Sequence, residues 1–485
     1  MSSVFDTFNR RDLSTLAEDT ANYSQADMAF ILLCSVFVMI LTPAGIGLFY
    51  GGALKRKNVV QILFQSYMVT AAVTVWWYLF GYSLAVSPSD SKVMGNFSFG
   101  ALQNIDALPF TTTIPHILYF VFSTFFPVAT IQIFLGAVAE RGRVLPSIIV
   151  GLIWGTVCYC PFAYSTWSAN GWLYQLGDLD FAGGGPVHIA SGVSSLAYSL
   201  FLGPRKEWKD PRTNQDYRPS NPGLVFLGVT IIWGTWLCFN SGTLLAVNVR
   251  TCYIMANTQI AASTGALTFA VVDYFMSGTK KWSVIKACEG AIVGLVNITP
   301  SCGYISPYYA LITSVFDGIV CRLLYDCAEW MGIDDTTHSF VVHGVGGIIG
   351  SICTGIFASP YIAGLDGATV IEGGWIFHHW VQMGYQFAAF TVVSVWSFVG
   401  TYAICFLVDK VPGLKLRASE EAELMGMDLF ELQDTFDEFA NDYTDFLCKH
   451  GITESDILSI KHVVTNRGKV EVVEHDNSGS ASSIV

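Results

Sequence analysis

The chain has 485 residues, of which 52% are hydrophobic and 13% charged, and its mean hydropathy is +0.48. A soluble globular protein of this size is less apolar, so the composition excludes that class and indicates a polytopic membrane protein. The net charge of −13 argues against nucleic-acid binding, and much of it lies after residue 409, where 15 Asp and Glu accompany 7 Lys and Arg.

Residues 1–26 form a polar N-terminal segment, expected on the extracellular side, without the short apolar core of a signal peptide. Eleven apolar runs follow, each near the length of about 20 residues that a membrane helix needs. They lie approximately at residues 27–50, 60–86, 115–138, 146–166, 182–203, 223–244, 257–278, 283–299, 305–326, 339–358 and 376–408. The sequence therefore predicts an all-α polytopic membrane domain of eleven transmembrane helices over residues 27–408.

The basic residues of the loops predict the orientation of these spans. Loops after odd-numbered spans carry 14 Lys and Arg, whereas loops after even-numbered spans carry only Lys92 and Arg250. Basic loops stay in the cytoplasm, so we expect an extracellular N-terminus and a cytoplasmic C-terminus. The Asn-x-Ser triplets at Asn22 and Asn96 then lie outside, which makes both asparagines candidates for glycosylation.

Spans five and ten contain related segments, DFAGGGPVHIASG and DTTHSFVVHGVGG. Asp180 precedes His188 by eight residues, and Asp335 precedes His343 by eight residues. This similarity predicts an inverted repeat of five plus five spans, with a long eleventh helix added. The two runs start at opposite faces, and eight helical residues rise about 12 Å against a hydrocarbon half-thickness of about 15 Å. We expect both histidines to meet near the bilayer centre.

The role of the histidine pair has two interpretations. Ionisable side chains inside spans are costly and usually line a pathway, which favours His188 and His343 as pathway residues. The alternative is two core histidines that each bond to a neighbouring helix. For Asp180 and Asp335 we expect helix-capping roles at the positive ends of the helix dipoles, without substrate contact.

Aromatic residues form 14% of the chain, and most aromatic residues in membrane proteins face lipid or the interface. Three have positions that suit a site: Phe126 in span three, Trp167 in an outer loop, and Phe239 in span six. Asn240 and Thr243 follow Phe239 in the segment WLCFNSGT. Aromatic faces attract a small cation by about 0.5 to 2 kcal/mol each. Composition alone favours packing for each of these rings.

Several long segments carry a family resemblance. DFAGGGPVHIASGVSSLAYSLFLGPR resembles the signature of the ammonium transporter/methylammonium permease family, and GAVAERGR, WLCFNSGT, FVVHGVGGIIGSICTG and EEAELMGMDLFE resemble its other blocks. The similarity runs from about residue 26 to 432. It implies an eleven-span protomer assembled as a homotrimer, with one pore in each subunit.

The resemblance also implies residue roles. Trp167, Phe126 and Thr243 would recruit ammonium outside the pore, and Phe126 with Phe239 would form a phenylalanine gate. Asn240 would lie near this site in a structural role. Many family members have Ser where this chain has Thr243. We expect the extra methyl group of Thr243 to alter the geometry of the recruitment site.

His188 and His343 would be the twin histidines of the pore. Moving a bare cation into a low-dielectric passage costs tens of kcal/mol, whereas deprotonating ammonium near neutral pH costs about 3 to 4 kcal/mol. We therefore expect ammonia to cross while the histidines relay the proton, which makes uptake electrogenic.

The alternatives are an ammonium receptor with little flux, a neutral gas or water channel, and a membrane enzyme. We expect no enzymatic activity, because no nucleophile or third metal ligand lies at the depth of the histidines. The 12 cysteines show no metal-binding spacing, and we expect no metal or other cofactor.

Residues 409–485 form an acidic tail, for which we expect a regulatory role. Leu429, Leu432, Phe436 and Phe439 recur with helical spacing and predict an amphipathic helix, while about residues 465–485 are Ser-rich and expected to be disordered. We expect a kinase to act on the tail. Methylammonium is an expected second substrate of the protein, and the lipid bilayer is its expected surrounding. The resemblance further implies a fungal-type plasma-membrane permease, of a kind also credited with nitrogen sensing. The candidate phosphorylation sites are Thr453, Ser455 and Ser459.

Overall fold

The computed structural model describes residues 23–105, 108–208 and 219–435. The regular secondary structure of these residues is helical, and each predicted interval contains a helix. The principal helices are α1 (Gln25–Ala53), α2 (Arg56–Val86), α3 (His116–Gly136), α4 (Val144–Leu176, broken at 168–171), α5 (Gly184–Ile189 continued by Ala190–Leu202), α6 (Pro222–Gly242), α7 (Val249–Met276), α8 (Val284–Ile298), α9 (Pro307–Leu323), α10 (Phe340–Phe357), α11 (Gln382–Asp409) and α12 (Glu420–Met425).

Seven of the described helices are long and apolar enough to cross a membrane: α1, α2, α3, α4, α6, α10 and α11. Their outward faces carry many exposed large apolar side chains, such as Leu33 on α1 and Phe406 on α11. A lipid environment is the setting in which such faces are stable. The chain is therefore a polytopic helical membrane protein.

Helix α7 begins eight residues earlier than its apolar run predicts, at Val249. Asn248 and Thr251 form a reciprocal capping box, in which each side chain accepts a hydrogen bond from the other residue's N–H. The first turn also buries Arg250, whose guanidinium bonds Asp366 at 2.7 Å. A hydropathy scan misses this turn because its residues are polar and satisfied by specific partners.

The two histidine-bearing helices begin with wide π turns, Gly184–Ile189 in α5 and Phe340–Val345 in α10. Residues 180–183 precede α5 without being helical, and Gly183 has a left-handed φ of 110°. The assumption of a regular helix from each aspartate to its histidine is therefore wrong, because His188 lies only one turn inside its helix. π turns of this kind occur frequently at functional sites.

Helices α5 and α10 cross in close contact where two glycines meet. A Cβ atom on Gly192 would collide with the backbone of Gly344, so a side chain at this position would force the helices apart. Small residues permit such backbone approach in membranes. Gly344 directly follows His343, so this crossing brings the second histidine close to α5.

A buried ion network joins the loops at the basic end of the bundle. Arg205 bonds Asp334 at 2.8 Å and Glu140 at 2.5 Å, and Arg141 donates to the backbone carbonyl of Asp334 at 2.6 Å. Burial lowers the pKa of the Arg141 guanidinium to about 10, which leaves it charged at neutral pH. The network fixes the segment that leads into α10.

The first part of the tail lies against these loops. Ala418 donates to the carbonyl of Arg141 at 2.9 Å, and Met427 donates to Asn58 at 2.8 Å. Arg417 also forms an ion pair with Glu423 of α12 at 3.0 Å. These contacts hold residues 417–427 on the helical domain.

The structure differs from the predicted amphipathic tail helix in the part of the tail that it describes. A short helix covers Met427–Glu431, and Leu432 is not helical, so a continuous helix through this position is wrong. The backbone of Leu432 still bonds the carbonyl of Asp428 at 3.2 Å. Phe436 and Phe439 lie outside the described residues.

Candidate transport site

A vestibule of about 900 Å³ opens between the helices, and Phe126, Trp167 and Thr243 all line it. The Trp167 and Phe126 rings pack edge to face with centroids 6.0 Å apart. The indole N–H of Trp167 donates to the carbonyl of Asp180 at 3.1 Å, which fixes the ring. Thr243 donates its hydroxyl to the carbonyl of Phe239 at 2.9 Å, so its oxygen can still accept a hydrogen bond from a guest.

Two stacked phenylalanine rings close the floor of the vestibule. Phe126 of α3 and Phe239 of α6 have centroids 4.2 Å apart and an interplanar angle of 26°. Phe126 lines the vestibule, and Phe239 lines a second, inner chamber. The stacked rings therefore lie where the two cavities adjoin.

The inner chamber measures about 20 Å³, which is space for about one water-sized molecule. Its wall is mostly aliphatic and includes Leu41, Ile133 and Ile232. Among the described residues that line it, none carries a carboxylate, an ammonium group or a guanidinium. Such a wall stabilises a small neutral molecule and disfavours a bare cation.

His188 and His343 line this chamber together. Their Nδ1 atoms lie 3.3 Å apart, and their ring centroids are 5.4 Å apart with an interplanar angle of 27°. One ring must donate and the other accept in this contact, so the pair has two tautomeric arrangements. Both rings are buried, and the Nε2 atom of His188 has no hydrogen-bond partner among the described residues.

The two aspartates bond the first turns of the histidine helices. The Asp180 carboxylate accepts from the N–H groups of Gly183, Gly184 and Gly185 at 2.6 to 2.9 Å. Asp335 accepts from the N–H of Phe340 at 2.8 Å. Negative groups are favoured at helix N-termini, and these contacts hold both π turns. Asp180 also lines the vestibule, which the expectation of a purely capping role did not include.

Among the inner-chamber side chains that sequence reasoning missed, two are aromatic rings with a polar atom. Trp236 stacks on His188 with centroids 5.1 Å apart, and its indole N–H donates to Thr299 at 3.1 Å. Its position three residues before Phe239 places both rings on one face of α6, which is the signal that marks it. Tyr50 also lines the chamber, and its hydroxyl lies 3.4 Å from that of Ser339.

The remaining predicted site residues lie away from the cavities or beyond the described chain. Asn240 is fully buried and donates to Thr258 at 3.0 Å, which joins α6 to α7. Asn96 is exposed, but its amide nitrogen donates to the carbonyl of Pro88 at 2.7 Å. The described residues contain no group of three metal-ligating side chains. Residues outside the described ranges are Asn22, Thr453, Ser455 and Ser459.

Comparison with known proteins gives consistent matches over most of the chain. The sequence profile of the Ammonium Transporter Family matches residues 29–436. The chain is 48% identical to Ammonium transporter 3 of Schizosaccharomyces pombe over 88% of this chain and 91% of that protein. It is 37% identical to Ammonium transporter MEP3 of Saccharomyces cerevisiae over 88% and 86%. The crystal structure of Candida albicans Mep2 superposes with a TM-score of 0.79 at 38% identity, over 86% of this chain and 91% of that chain.

Proposed function

The chain belongs to the ammonium transporter family, a family of transporters and not of enzymes, and on that premise we propose how it moves ammonium across the membrane. Ammonium binds in the vestibule, gives up its proton near the stacked phenylalanines to the free Nε2 of His188, and crosses the inner chamber as ammonia. The observation that carries this proposal is the inner chamber itself, which is small, aliphatic and lined by the two contacting imidazoles.

Recruitment in the vestibule rests on aromatic faces and one hydroxyl. Trp167 and Phe126 offer the negative faces of their rings, and Thr243 offers an acceptor oxygen. A partly desolvated cation gains about 0.5 to 2 kcal/mol from each ring, enough to concentrate ammonium without trapping it. Asp180 adds a negative group to the same cavity.

Energetics favour passage as ammonia. A bare ion in the aliphatic chamber loses hydration worth tens of kcal/mol, and the lining supplies no charge to replace it. Removing the proton from an amine-like cation near neutral pH costs about 3 to 4 kcal/mol. Potassium cannot take this second route, because it has no proton to lose.

The proton crosses separately through the histidine pair. A neutral imidazole accepts at one nitrogen and donates at the other, so a proton that arrives on one ring releases another from its partner across the 3.3 Å contact. Net uptake then moves one positive charge with each ammonia molecule. The unpartnered Nε2 of His188 supports this assignment, because it can receive a hydrogen bond from a guest in the chamber.

The membrane arrangement is part of the same proposal. Eleven spans cross the bilayer as an inverted five-plus-five repeat with α11 added, the N-terminus outside and the tail in the cytoplasm. The helices on all predicted intervals and the basic loops at one end support this topology. Family membership supports a homotrimer in the plasma membrane.

The tail is proposed to regulate transport. Its first residues bond the loops that also hold the Arg141 and Asp334 network, so a charge added further along by a kinase changes how firmly these loops are held. Signalling in response to ammonium would act through the same segment.

Substrate-induced current in proteoliposomes tests this function. We expect a pulse of ammonium to give an inward current that saturates with concentration, and an equal potassium pulse to give none. Ammonia entry without current would instead identify a neutral gas channel. Ammonium binding with neither current nor uptake would identify a receptor.

Replacing Thr243 with valine tests the recruitment site. The change removes the hydroxyl and keeps the shape, so we expect the KM for ammonium to rise about five- to tenfold, equivalent to one hydrogen bond, with little change in maximal flux. Thr230→Val on the same helix is the matched control, because Thr230 is exposed and bonds only its own helix backbone. An unchanged KM in Thr243→Val would remove Thr243 from the recruitment site.

A further inference from the structure

Asp178 is an acidic residue of the vestibule wall to which the proposed pathway gives no role. It lies in the segment between α4 and α5, and it lines the same cavity as Phe126, Trp167 and Thr243. Its Oδ1 atom is buried and has no hydrogen-bond partner among the described residues, and none of their basic side chains forms an ion pair with the carboxylate. Native proteins leave few buried polar atoms without a partner, so an acid of this kind in a cavity wall is a candidate for ligand binding.

The other charged side chains in the described part of the vestibule wall differ from Asp178. The Asp180 carboxylate accepts from three backbone N–H groups at 2.6 to 2.9 Å. The Arg250 guanidinium is paired with Asp366 at 2.7 Å, and Glu372 is exposed. Asp178 is therefore an acid that the surrounding protein leaves without a counter-charge.

Helix α11 fixes the backbone on both sides of Asp178. The Gln382 amide donates to the carbonyl of Gly177 at 2.8 Å. The Gln386 amide accepts from the N–H of Leu179 at 2.9 Å and donates to its carbonyl at 3.1 Å. Both glutamines are buried, and Gly177 has a left-handed φ of 105° that favours glycine. These contacts give the Asp178 carboxylate a defined place in the wall.

This place is close to the proposed recruitment site. Asp178 precedes Asp180 by two residues, and the Asp180 carbonyl accepts from the indole N–H of Trp167. Two residues of extended chain span about 7 Å at most. The Asp178 backbone thus lies within that distance of the residue that fixes the recruitment indole.

A small cation supplies what the Asp178 carboxylate lacks. Burial, with the negative charge of Asp180 as a second cause, raises the pKa of Asp178 well above its ordinary value, because the ionised form has no positive partner in the wall. The adjoining cavity of about 900 Å³ has room for a small cation with water around it. Hydrogen bonds from a cationic N–H to a carboxylate are about twice as strong as neutral ones, which favours a cation with N–H groups.

We propose that Asp178 is a cation-binding residue of the vestibule, which captures ammonium or methylammonium for the recruitment site. An N–H group of the cation donates to the Asp178 carboxylate, and the negative charge of the acid balances the charge of the cation. Sodium and potassium have no N–H group, so the carboxylate attracts them by charge alone. The assignment rests on the proposed transport function and adds a charged acceptor to its first step.

Ammonium current in proteoliposomes tests this assignment. Asp178→Asn keeps the shape and removes the charge, so the KM for ammonium should rise about tenfold with little change in maximal current. Asp178→Glu keeps the charge and should stay within about threefold of wild type. Asp90→Asn is the matched control, because Asp90 is an exposed acid of the loop between α2 and α3 that lies outside the vestibule wall, and its KM should not change.

A second acid of the vestibule distinguishes a binding residue from the general field of the cavity. Glu372 lines the same cavity but is exposed, so solvent and salt screen its charge, and Glu372→Gln should raise the KM by less than about threefold. An unchanged KM in Asp178→Asn would overturn the proposal, as would equal rises in Asp178→Asn and Glu372→Gln.

Thermal unfolding of the purified protein in detergent measures binding without transport. Ammonium chloride, at an ionic strength held constant with sodium chloride, should stabilise the wild type, because a ligand that binds only the folded state raises its stability. The concentration for half-maximal stabilisation should rise about tenfold in Asp178→Asn, and an unchanged value would overturn the proposal. A wild type that binds ammonium through Asp178 but carries no current would overturn the transport function and leave this site intact.

Discussion

Replacing either His188 or His343 with alanine should lower the ammonium-dependent current by about 100-fold or more, because a positioned group that transfers a proton contributes about 10²- to 10⁴-fold. The two rings meet through a single Nδ1 contact of 3.3 Å, so loss of one ring ends the relay. The chamber also becomes wider and loses one of its two imidazoles. The measurement is the current in proteoliposomes, with potassium as the competing ion.

The matched control for this prediction is His116→Ala. His116 is buried and bonds Tyr82 at 2.6 Å, but it lines neither the vestibule nor the inner chamber. Its loss should leave the current per folded transporter within about twofold, since its partners Tyr82, Phe99 and Phe110 do not line the inner chamber. If the pore variants kept wild-type current and still excluded potassium, the histidine relay would be wrong.

Replacing Asp334 with alanine should destabilise the folded transporter by about 3 to 5 kcal/mol, the range for breaking a buried ion pair from one side. Asp334 accepts from Arg205 at 2.8 Å, and Arg141, with an exposed fraction of 0%, lies 3.9 Å from the same carboxylate. Removing the acid leaves the buried guanidinium of Arg141 and the partly buried guanidinium of Arg205 without their common partner. The measurement is thermal or denaturant unfolding of the purified protein in detergent.

The pH dependence of this effect follows from the pKa of Asp334. Burial alone would raise it, but Arg205 and Arg141 outweigh burial and hold the pKa below its ordinary value. The stabilisation is therefore fully present above the unfolded-state pKa of about 3.9 and is lost as the pH falls through the lower folded-state pKa. The stability difference between wild type and Asp334→Ala should stay constant from neutral to mildly acidic pH and shrink below about pH 4.

The neighbouring Asp326 supplies the control for this pair of measurements. Asp326 is exposed, so Asp326→Ala should change stability by no more than about 0.5 kcal/mol at any of these pH values. A difference between Asp334→Ala and wild type that equals the Asp326→Ala difference would show that the network adds nothing to stability.

Apolar runs located helices well, because a membrane span is marked by composition over about 20 residues. The apolar pattern did not predict the start of α7. Its first turn is stabilised by a capping box and by the contacts of Arg250, and composition does not reveal either of these. The sequence did not predict the π turns for a similar reason. The π turn of α5 depends on Gly183 in a left-handed conformation and on N–H groups that bond Asp180, and the π turn of α10 depends on the Phe340 N–H that bonds Asp335. None of these features has a hydropathy signal.

The sequence pattern predicted some contacts between distant residues and not others. The repeated Asp-to-His spacing pointed to His188 and His343 as a pair, and the structure places their rings in contact. No spacing linked Phe126 to Phe239, and only the family resemblance put these rings together.

The ratio of charge moved to substrate taken up tests the central claim most directly. Tracer methylammonium and current are recorded together in the same proteoliposomes, for the wild type and for the variant in which both His188 and His343 are alanine. The proposed mechanism predicts one charge per molecule in the wild type, no potassium current, and loss of the coupled charge in the double variant. Uptake without charge in the wild type, or an unchanged ratio with potassium still excluded in the double variant, would contradict it.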